Sequence, residues 1–372
     1  LAVRLGDLPT PQVLVDQRRL LANIERVQNL ASAAGLRLRP HSKTHKSPVI
    51  ARWQIDRGAV GICCAKPGEA EVMAAAGVDD IRLPYPVNPF NAPRILALMD
   101  RAAVSIVVDH LDVAGGWSDA MRRAGRRLDV LVKVDVGFHR CGIDPDDRPL
   151  AFLQAVARLP GLRLLGLLSH AGQGYHATSE RELAGIAARE ADILTGLAAG
   201  ARQSGIELDE LSVGATPTLR FSTKQTGLSE IRPGNYVYFD RTQVALGAAS
   251  LDECALTILA TVVSKPKPDR IILDCGSKTL TSDQARGITK AAGYGAVLTA
   301  DGAVDASLTI ERLSEEHAIV RVAGTTALAP GDRVRVLPNH SCVVSNLVDV
   351  VRLVDGEEVL TTLPVAARGK IQ

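Results

Sequence analysis

The sequence predicts an α/β fold, a TIM-type (β/α)8 barrel followed by a C-terminal antiparallel β domain, and three observations carry this. Over the first two thirds of the chain, short apolar runs alternate with longer stretches whose apolar residues recur every three or four positions. Strands alternating with amphipathic helices imply a parallel sheet. The runs recur about every 25 residues, which suits a closed eight-stranded barrel better than an open doubly wound sheet. After Asp240 the helical pattern stops, and β-branched runs separated by turn clusters take over, as in an antiparallel domain. Residues 1–240 are therefore expected to form the barrel and 241–372 the β domain.

Residues 12–15 open the series, either as a plug under the barrel or as its first strand. Residues 36–40, 59–64, 80–83, 104–108, 128–134, 162–168, 207–213 and 230–237 read as the strands that follow. The stretches 18–34 and 179–204 read as helices ending near Gly35 and Gly205. In the second part, residues 255–263, 270–274, 306–312, 318–322, 333–337, 348–354 and 358–363 read as strands. Pro266-Lys267-Pro268-Asp269, Pro330-Gly331-Asp332 and Asp355-Gly356 are the turns between them. No low-complexity linker intervenes, so the two parts are expected to pack closely.

The 372 residues carry 43 basic and 41 acidic side chains, a net charge of +2, without an extended basic block. Neither nucleic acid nor an anionic membrane is an expected partner, and a small molecule is. Six cysteines (Cys63, Cys64, Cys141, Cys254, Cys275 and Cys342) show no CxxC spacing, which fits a reducing cytoplasm. No run approaches the ~20 apolar residues of a membrane-spanning helix. No charged-then-apolar leader opens the sequence, and a soluble cytoplasmic protein is expected.

Barrel chemistry collects at the carboxyl ends of the strands, and five polar clusters fall there. The first is Arg39-Pro40-His41-Ser42-Lys43-Thr44-His45-Lys46. A lysine desolvated and flanked by other cations has a lowered pKa and becomes a nucleophile toward an aldehyde, and Lys43 is assigned that role. His41 and His45 read as structural imidazoles. The others are His139-Arg140-Cys141-Gly142, Ser169-His170-Ala171-Gly172-Gln173-Gly174-Tyr175, Gly214-Ala215-Thr216-Pro217-Thr218 and Arg232-Pro233-Gly234-Asn235-Tyr236. The small-residue turn from Gly214, with its hydroxyls and backbone N–H groups, suits a phosphate, and Gly234, Asn235 and Tyr236 would complete the cradle. In the second part, Pro338-Asn339-His340-Ser341-Cys342 stands out. On an extended backbone His340 and Cys342 share a face and could hold one divalent ion. Thiolate plus imidazole favours zinc, with manganese or magnesium left open because water must fill the remaining positions.

The Pro40 to Lys46 motif resembles the lysine motif of D-threonine aldolases and eukaryotic-type D-serine dehydratases. The resemblance runs from Leu8-Pro9-Thr10-Pro11 to Pro338-Asn339-His340-Ser341-Cys342 in matching order. It implies a pyridoxal-phosphate enzyme with an alanine-racemase-like barrel, acting as a homodimer on D-β-hydroxy amino acids. It further implies Lys43 as the cofactor lysine, Gly214, Thr216 and Tyr236 at the phosphate, and Arg140 facing the pyridine nitrogen. His170 and Tyr175 would orient the cofactor, and a metal on His340 and Cys342 would grip the β-hydroxyl, which places His340 among the catalytic residues. Two outcomes stay open: retro-aldol cleavage to glycine and an aldehyde, which is preferred, and dehydration to an oxo acid and ammonia. The aldolase branch often carries an aspartate where Cys342 stands, and the dehydratase branch a cysteine. Gly276-Ser277-Lys278-Thr279-Leu280 and Gly247-Ala248-Ala249-Ser250 look more like the aldolase branch. A racemase would need a second base, typically a tyrosine from a β domain, where Tyr294 alone is available. A non-catalytic cofactor carrier is a remoter alternative, to which the second part and its His340–Cys342 pair are foreign.

Overall fold

The computed structural model describes residues 3–289 and 291–372. Strand β1 (Gln12–Asp16) precedes the eight strands β2 (Arg37–Leu38), β3 (Ile62–Cys63), β4 (Asp80–Pro86), β5 (Ala103–Val108), β6 (Leu128–Lys133), β7 (Leu162–Leu168), β8 (Glu210–Val213) and β9 (Glu230–Ile231). These eight are parallel neighbours in the order β2-β9-β8-β7-β6-β5-β4-β3. A parallel bridge between His41 and Cys63 joins the two edges, with the Cys63 N–H donating to Pro40 O at 2.8 Å. The sheet therefore curls on itself in the manner of a TIM barrel. The connecting helices follow from local pattern. In Gln17–Ala33 the Asp16 carboxylate caps the Arg19 N–H at 3.0 Å, and Leu20, Ile24, Val27 and Ala31 form one buried stripe at three- and four-residue spacing.

The second sheet holds β10 (Leu256–Lys267), β11 (Arg270–Leu273), β12 (Ala296–Leu298), β13 (Leu308–Leu313), β14 (Ala318–Val322), β15 (Arg333–Leu337), β16 (Val350–Asp355) and β17 (Glu358–Pro364). β1 belongs to it too, and is neither plug nor barrel strand. It lies between β10, its antiparallel partner, and β16, its parallel one. Val13, Leu14 and Val15 are all buried, as a strand covered on both faces requires. We keep residue 240 as the proposed junction, with β1 counted to the second unit. β12 was not anticipated, because three residues are too few for an alternation to be read. Of the run 230–237 only Glu230–Ile231 is strand, and Asn235–Val237 forms a single 3-10 turn.

The lower half of the barrel interior is charged. Arg39 donates to Glu230 at 2.9 Å and to Asp80 at 2.6 and 3.0 Å. Arg82 donates to Glu230 at 2.5 Å and Glu210 at 2.6 Å, and Ser212 Oγ donates to Glu230 at 2.6 Å. Burial alone would raise the Glu230 carboxyl, but Arg82 and Arg39 outweigh it and hold it at about 2. Removing one partner of a buried ion cluster strands the others, at a cost of about 3–5 kcal/mol. Arg39 keeps Asp80 and Arg82 keeps Glu210, so Glu230→Ala should cost the lower figure, about 3 kcal/mol, in urea unfolding. The folded value lies below the unfolded value of ~4.3. The stabilisation is thus complete above that value and lost as pH falls through it toward about 2. The wild-type protein should lose stability across that window more steeply than Glu230→Ala.

Candidate active site

Members of all five polar clusters meet in one cavity of about 480 Å³ at the carboxyl ends of the barrel strands. Lys43 enters it from the 3-10 turn Ser42–Thr44, whose Lys43 N–H donates to His41 Nδ1 at 3.3 Å. The turn is anchored from below by fully buried Glu69, which accepts from Ser42 Oγ at 2.5 Å and Lys46 Nζ at 3.1 Å. Burial draws the Lys43 amine below its ordinary value; Arg140 and Arg232 add to this, and the Cys342 thiolate opposes it. His41 is held neutral by burial and by the charges of Lys43 and Arg232. Burial brings His45 down to about 4, and its Nδ1 accepts from the Ser47 N–H at 3.1 Å.

The turn after β8 is shaped for an anion. At Gly214 a Cβ would lie about 3.0 Å from the Arg232 Cβ and carbonyl, a tight contact that glycine avoids. Among the described residues, no carbonyl accepts from the N–H of Ala215, Thr216, Asn235 or Tyr236. Thr216 Oγ1 is buried with no hydrogen-bond partner, and Thr216, Gly234 and Asn235 line the cavity. Unsatisfied backbone donors plus an orphaned hydroxyl fit a phosphate. The Tyr236 side chain does not take part. It is turned into the core, where its hydroxyl accepts from Gln54 Nε2 at 2.8 Å, leaving only its backbone to the cradle. His170 Nδ1 lies 2.6 Å from Gly214 O, which requires a proton on Nδ1 and leaves Nε2 an acceptor. Burial, then the charges of Lys43 and Lys133, keeps that ring neutral. Tyr175 lines the same cavity.

His340 and Cys342 face the cavity from the second unit. They are not on an extended run: β15 ends at Leu337, His340 caps the short helix Ser341–Asn346, and Cys342 sits in its first turn. The pair converges because a helix is entered there. His340 Nδ1 lies 3.2 Å from Asp283 Oδ2, so Nε2 remains for a ligand, the arrangement that orients metal-binding imidazoles. Burial opposes the charge on His340, but the hydrogen bond to Asp283 and the neighbouring thiolate raise it to about 11. Burial likewise disfavours the Cys342 thiolate, yet His340 and Lys43 bring its pKa below the ordinary value. Cys342 Sγ is 3.1 Å from Thr44 Oγ1 and 3.5 Å from Asn235 Nδ2. A soft donor pair with a carboxylate behind the imidazole fits a divalent ion; among the described residues no third histidine, cysteine or carboxylate joins them.

Three features were not read from the sequence. Arg140 lines the cavity but is exposed, its guanidinium 5.1 Å over the Phe138 ring. The guanidinium buried in the cavity is that of Arg232, which donates to Ser212 Oγ at 2.7 Å and to the Ser169 carbonyl. Its place two residues before Gly234 was the available signal. Lys133, at the end of β6, also faces the cavity, drawn to about 7 by burial and Arg232; a lysine interrupting an apolar strand was its signal. Asp283 lies in an irregular loop and gave none.

Comparison with known proteins finds two family matches along the chain. Residues 15–242 match the family described as alanine racemase, N-terminal domain, and residues 255–354 the putative serine dehydratase domain. The chain is 35% identical over 375 residues to a D-threonine aldolase of Arthrobacter sp., covering 98% of this chain and 94% of that protein. It is 34% identical over 349 residues to the D-threo-3-hydroxyaspartate dehydratase of Delftia sp. (strain HT23), covering 90% and 91%. A solved cysteine-to-alanine mutant of a D-threo-3-hydroxyaspartate dehydratase, described as the metal-free form, superposes with a TM-score of 0.91 at 31% identity, covering 97% of this chain and 98% of that one.

A charge-assisted hydrogen bond is worth about 1.5–3 kcal/mol, or roughly 10- to 150-fold in affinity. Thr216→Val should therefore weaken retention of a phosphate-bearing cofactor by at least about tenfold in equilibrium dialysis. Unchanged retention would place the phosphate elsewhere.

Proposed function

The chain belongs to the fold-type III pyridoxal-phosphate enzymes that join an alanine racemase N-terminal domain to a serine dehydratase domain, and from that premise we propose that it is a metal-assisted lyase of D-β-hydroxy amino acids. One observation carries the reading: the Lys43 amine and the His340–Cys342 pair, 297 positions apart at Lys43 and His340, open onto a single cavity. When bound, pyridoxal phosphate supplies an electron sink for the carbon bearing the amine, and the metal a Lewis acid for the β-hydroxyl.

The chain's own groups divide the remaining work. Lys43, its amine drawn below the ordinary value by burial, is the nucleophile that holds the cofactor and, once released, a base that can move a proton at Cα. The Gly214 and Asn235 turns with Thr216 hold the phosphate. A guanidinium at the pyridine nitrogen gives up no proton, so the ring stays a moderate sink. Arg140, which lines the cavity, is assigned that role, with the buried Arg232 guanidinium as a second cation beside it. His340 and Cys342 hold the metal, zinc first, with Asp283 fixing the imidazole. Tyr294, the one tyrosine of the second unit, packs half-buried against the hydrophobic core and does not line the cavity of its own chain. All six cysteines are free and no described helix is long and apolar enough to cross a membrane; we place the enzyme in the cytoplasm, as a homodimer.

Cleavage of Cα–Cβ is the reading put first, supported by 35% identity across 98% of the chain to a D-threonine aldolase. Cys342 favours the second reading, dehydration, since the aldolase branch more often has an aspartate there. Product analysis separates them: D-threonine should give glycine and acetaldehyde, whereas keto acid and ammonia from D-serine would establish the dehydratase. Borohydride should fix the cofactor on Lys43 in the purified enzyme, and its recovery on Lys46 or Lys66 would sink the assignment. Exhaustive chelation should abolish turnover while leaving the Lys43-bound cofactor's absorbance in place, because barrel and second unit hold the two groups separately. Full activity after chelation would make the His340–Cys342 pair structural.

A further inference from the structure

Two polar groups on the sheet of the second unit are buried with nothing to bond. Thr257 is 5% exposed, and its Oγ1 has no hydrogen-bond partner among the described residues. Nor has the Nε of Arg335, which is also buried. Native proteins leave few such groups unmatched, and each calls for a reason. The two are neighbours by register. Leu259 of β10 stands opposite Arg335 of β15, and Thr257, two residues before Leu259, shares its face of the sheet. Both line a recess of about 50 Å³ that has no residue in common with the cavity at the barrel rim.

Asp16 and Arg19, at the entry to the helix Gln17–Ala33, form one wall of the recess, and residues after β12 form another. The same Asp16 and Arg19 also line an adjoining groove of about 400 Å³. Arg19 is already engaged: its guanidinium donates to Cys254 O at 3.1 Å and stands 3.9 Å from Asp16 Oδ2. Arg335 is not. Burial opposes its charge and Arg19 adds to this, whereas Asp16 and the exposed Glu357 favour it as charges alone, without a hydrogen bond to it. Asp16 Oδ1 accepts the Arg19 N–H at 3.0 Å, and among the described residues no donor reaches Oδ2. The recess thus brings together an unmatched guanidinium, an unmatched hydroxyl and an unmatched carboxylate oxygen.

We propose that this recess is a second binding site, for a small carboxylic acid that carries a hydrogen-bond donor on its α-carbon, as the smallest amino and hydroxy acids do. The ligand carboxylate pairs with the Arg335 guanidinium and accepts from Thr257 Oγ1, and the α-donor goes to Asp16 Oδ2. A plain anion would satisfy Arg335 and Thr257 but would lie against Asp16 with no proton between them. A plain cation would leave Arg335 unmatched. The small volume excludes a bulky side chain. By joining Arg335 to Asp16, such a ligand ties the sheet to the first turn of the helix that covers the barrel. The site stands apart from the lyase reading, because none of its residues lines the cofactor cavity.

The test is a calorimetric titration of the holoenzyme with glycolate, which has no amine to condense with a cofactor aldehyde, and with acetate, the matched anion without the donor. Wild-type protein should bind glycolate at least about tenfold more tightly than acetate. Arg335→Gln should weaken glycolate at least about tenfold, and Arg335→Lys less, since lysine keeps the charge but not the forked geometry. Thr257→Val, close to isosteric, should weaken it about threefold. Asp16→Asn keeps the helix cap and should erase most of the preference for glycolate over acetate. Glycine is compared through the part of its heat that Arg335→Gln removes. Tighter binding of glycine identifies an amino acid as the ligand and tighter binding of glycolate a hydroxy acid, and each supports the site. Undiminished glycolate binding in Arg335→Gln, or in Thr257→Val where the arginine variant does not fold, overturns it. So does acetate bound by wild-type protein as tightly as glycolate. No binding of either up to about 10 mM also overturns it and leaves the recess to water.

Discussion

The geometry of the site depends on a line of polar contacts through the barrel interior. Glu230 gathers Arg39 and Arg82 below, and Ser212 Oγ donates to Glu230 and accepts from Arg232 Nε above it. Charges in a barrel core cost several kcal/mol each unless every partner is in place. Here they are, and the cluster fixes β2, β4, β8 and β9 relative to one another. Those strands deliver the Lys43 turn, the phosphate turn and Arg232. A hydrophobic layer of equal volume could hold the barrel together, but it would not orient a guanidinium at the cavity floor, since Arg232 takes its rotamer from Ser212 and Ser169.

The second unit depends on the first in a less obvious way. Its central strand, β1, comes from the N-terminus, and the chain passes directly from β1 into the helix Gln17–Ala33 that covers the barrel. The two units are laced by covalent connections at both β1 and residue 240. A site shared between them then inherits the rigidity of both, which a pair joined by one linker would lack.

Much of this was legible in the sequence because it rests on period and composition. Alternation of apolar runs with helical stripes reads out a parallel barrel, and small-residue turns after strands mark the sites of N–H groups without partners. What escaped reading has physical reasons. β1 is a short apolar run whether it plugs a barrel or pairs in a sheet, and only its partners across about 240 positions decide between the two. Tyr236 sits in the right loop, yet which way its side chain turns is decided by Gln54 on another element. His340 and Cys342 were paired on the assumption of extended backbone; a helix begins between them, and the convergence survives because both positions face the same cavity. A loop residue such as Asp283 carries no periodic signal at all.

On the proposed reading the phosphate turn and the His340–Cys342 pair must keep a fixed separation, since one would hold the reacting carbon through the cofactor and the other its substituent, and a misplacement of about 1 Å can cost a hundredfold in rate. One residue joins them. The Asn235 backbone N–H faces the cradle, while its side chain donates to Asp240 Oδ2 at 2.6 Å, to Ser341 Oγ at 3.1 Å and to Cys342 Sγ at 3.5 Å. Asp240 in turn accepts the Ser341 N–H at 2.9 Å and caps Gln243 at 3.0 Å. Asn235 and Asp240 lie where the barrel ends and the second unit begins. The distance between the two halves of the chemistry is therefore set at the junction itself, by two short buried side chains with little rotamer freedom, and not by packing between distant surfaces.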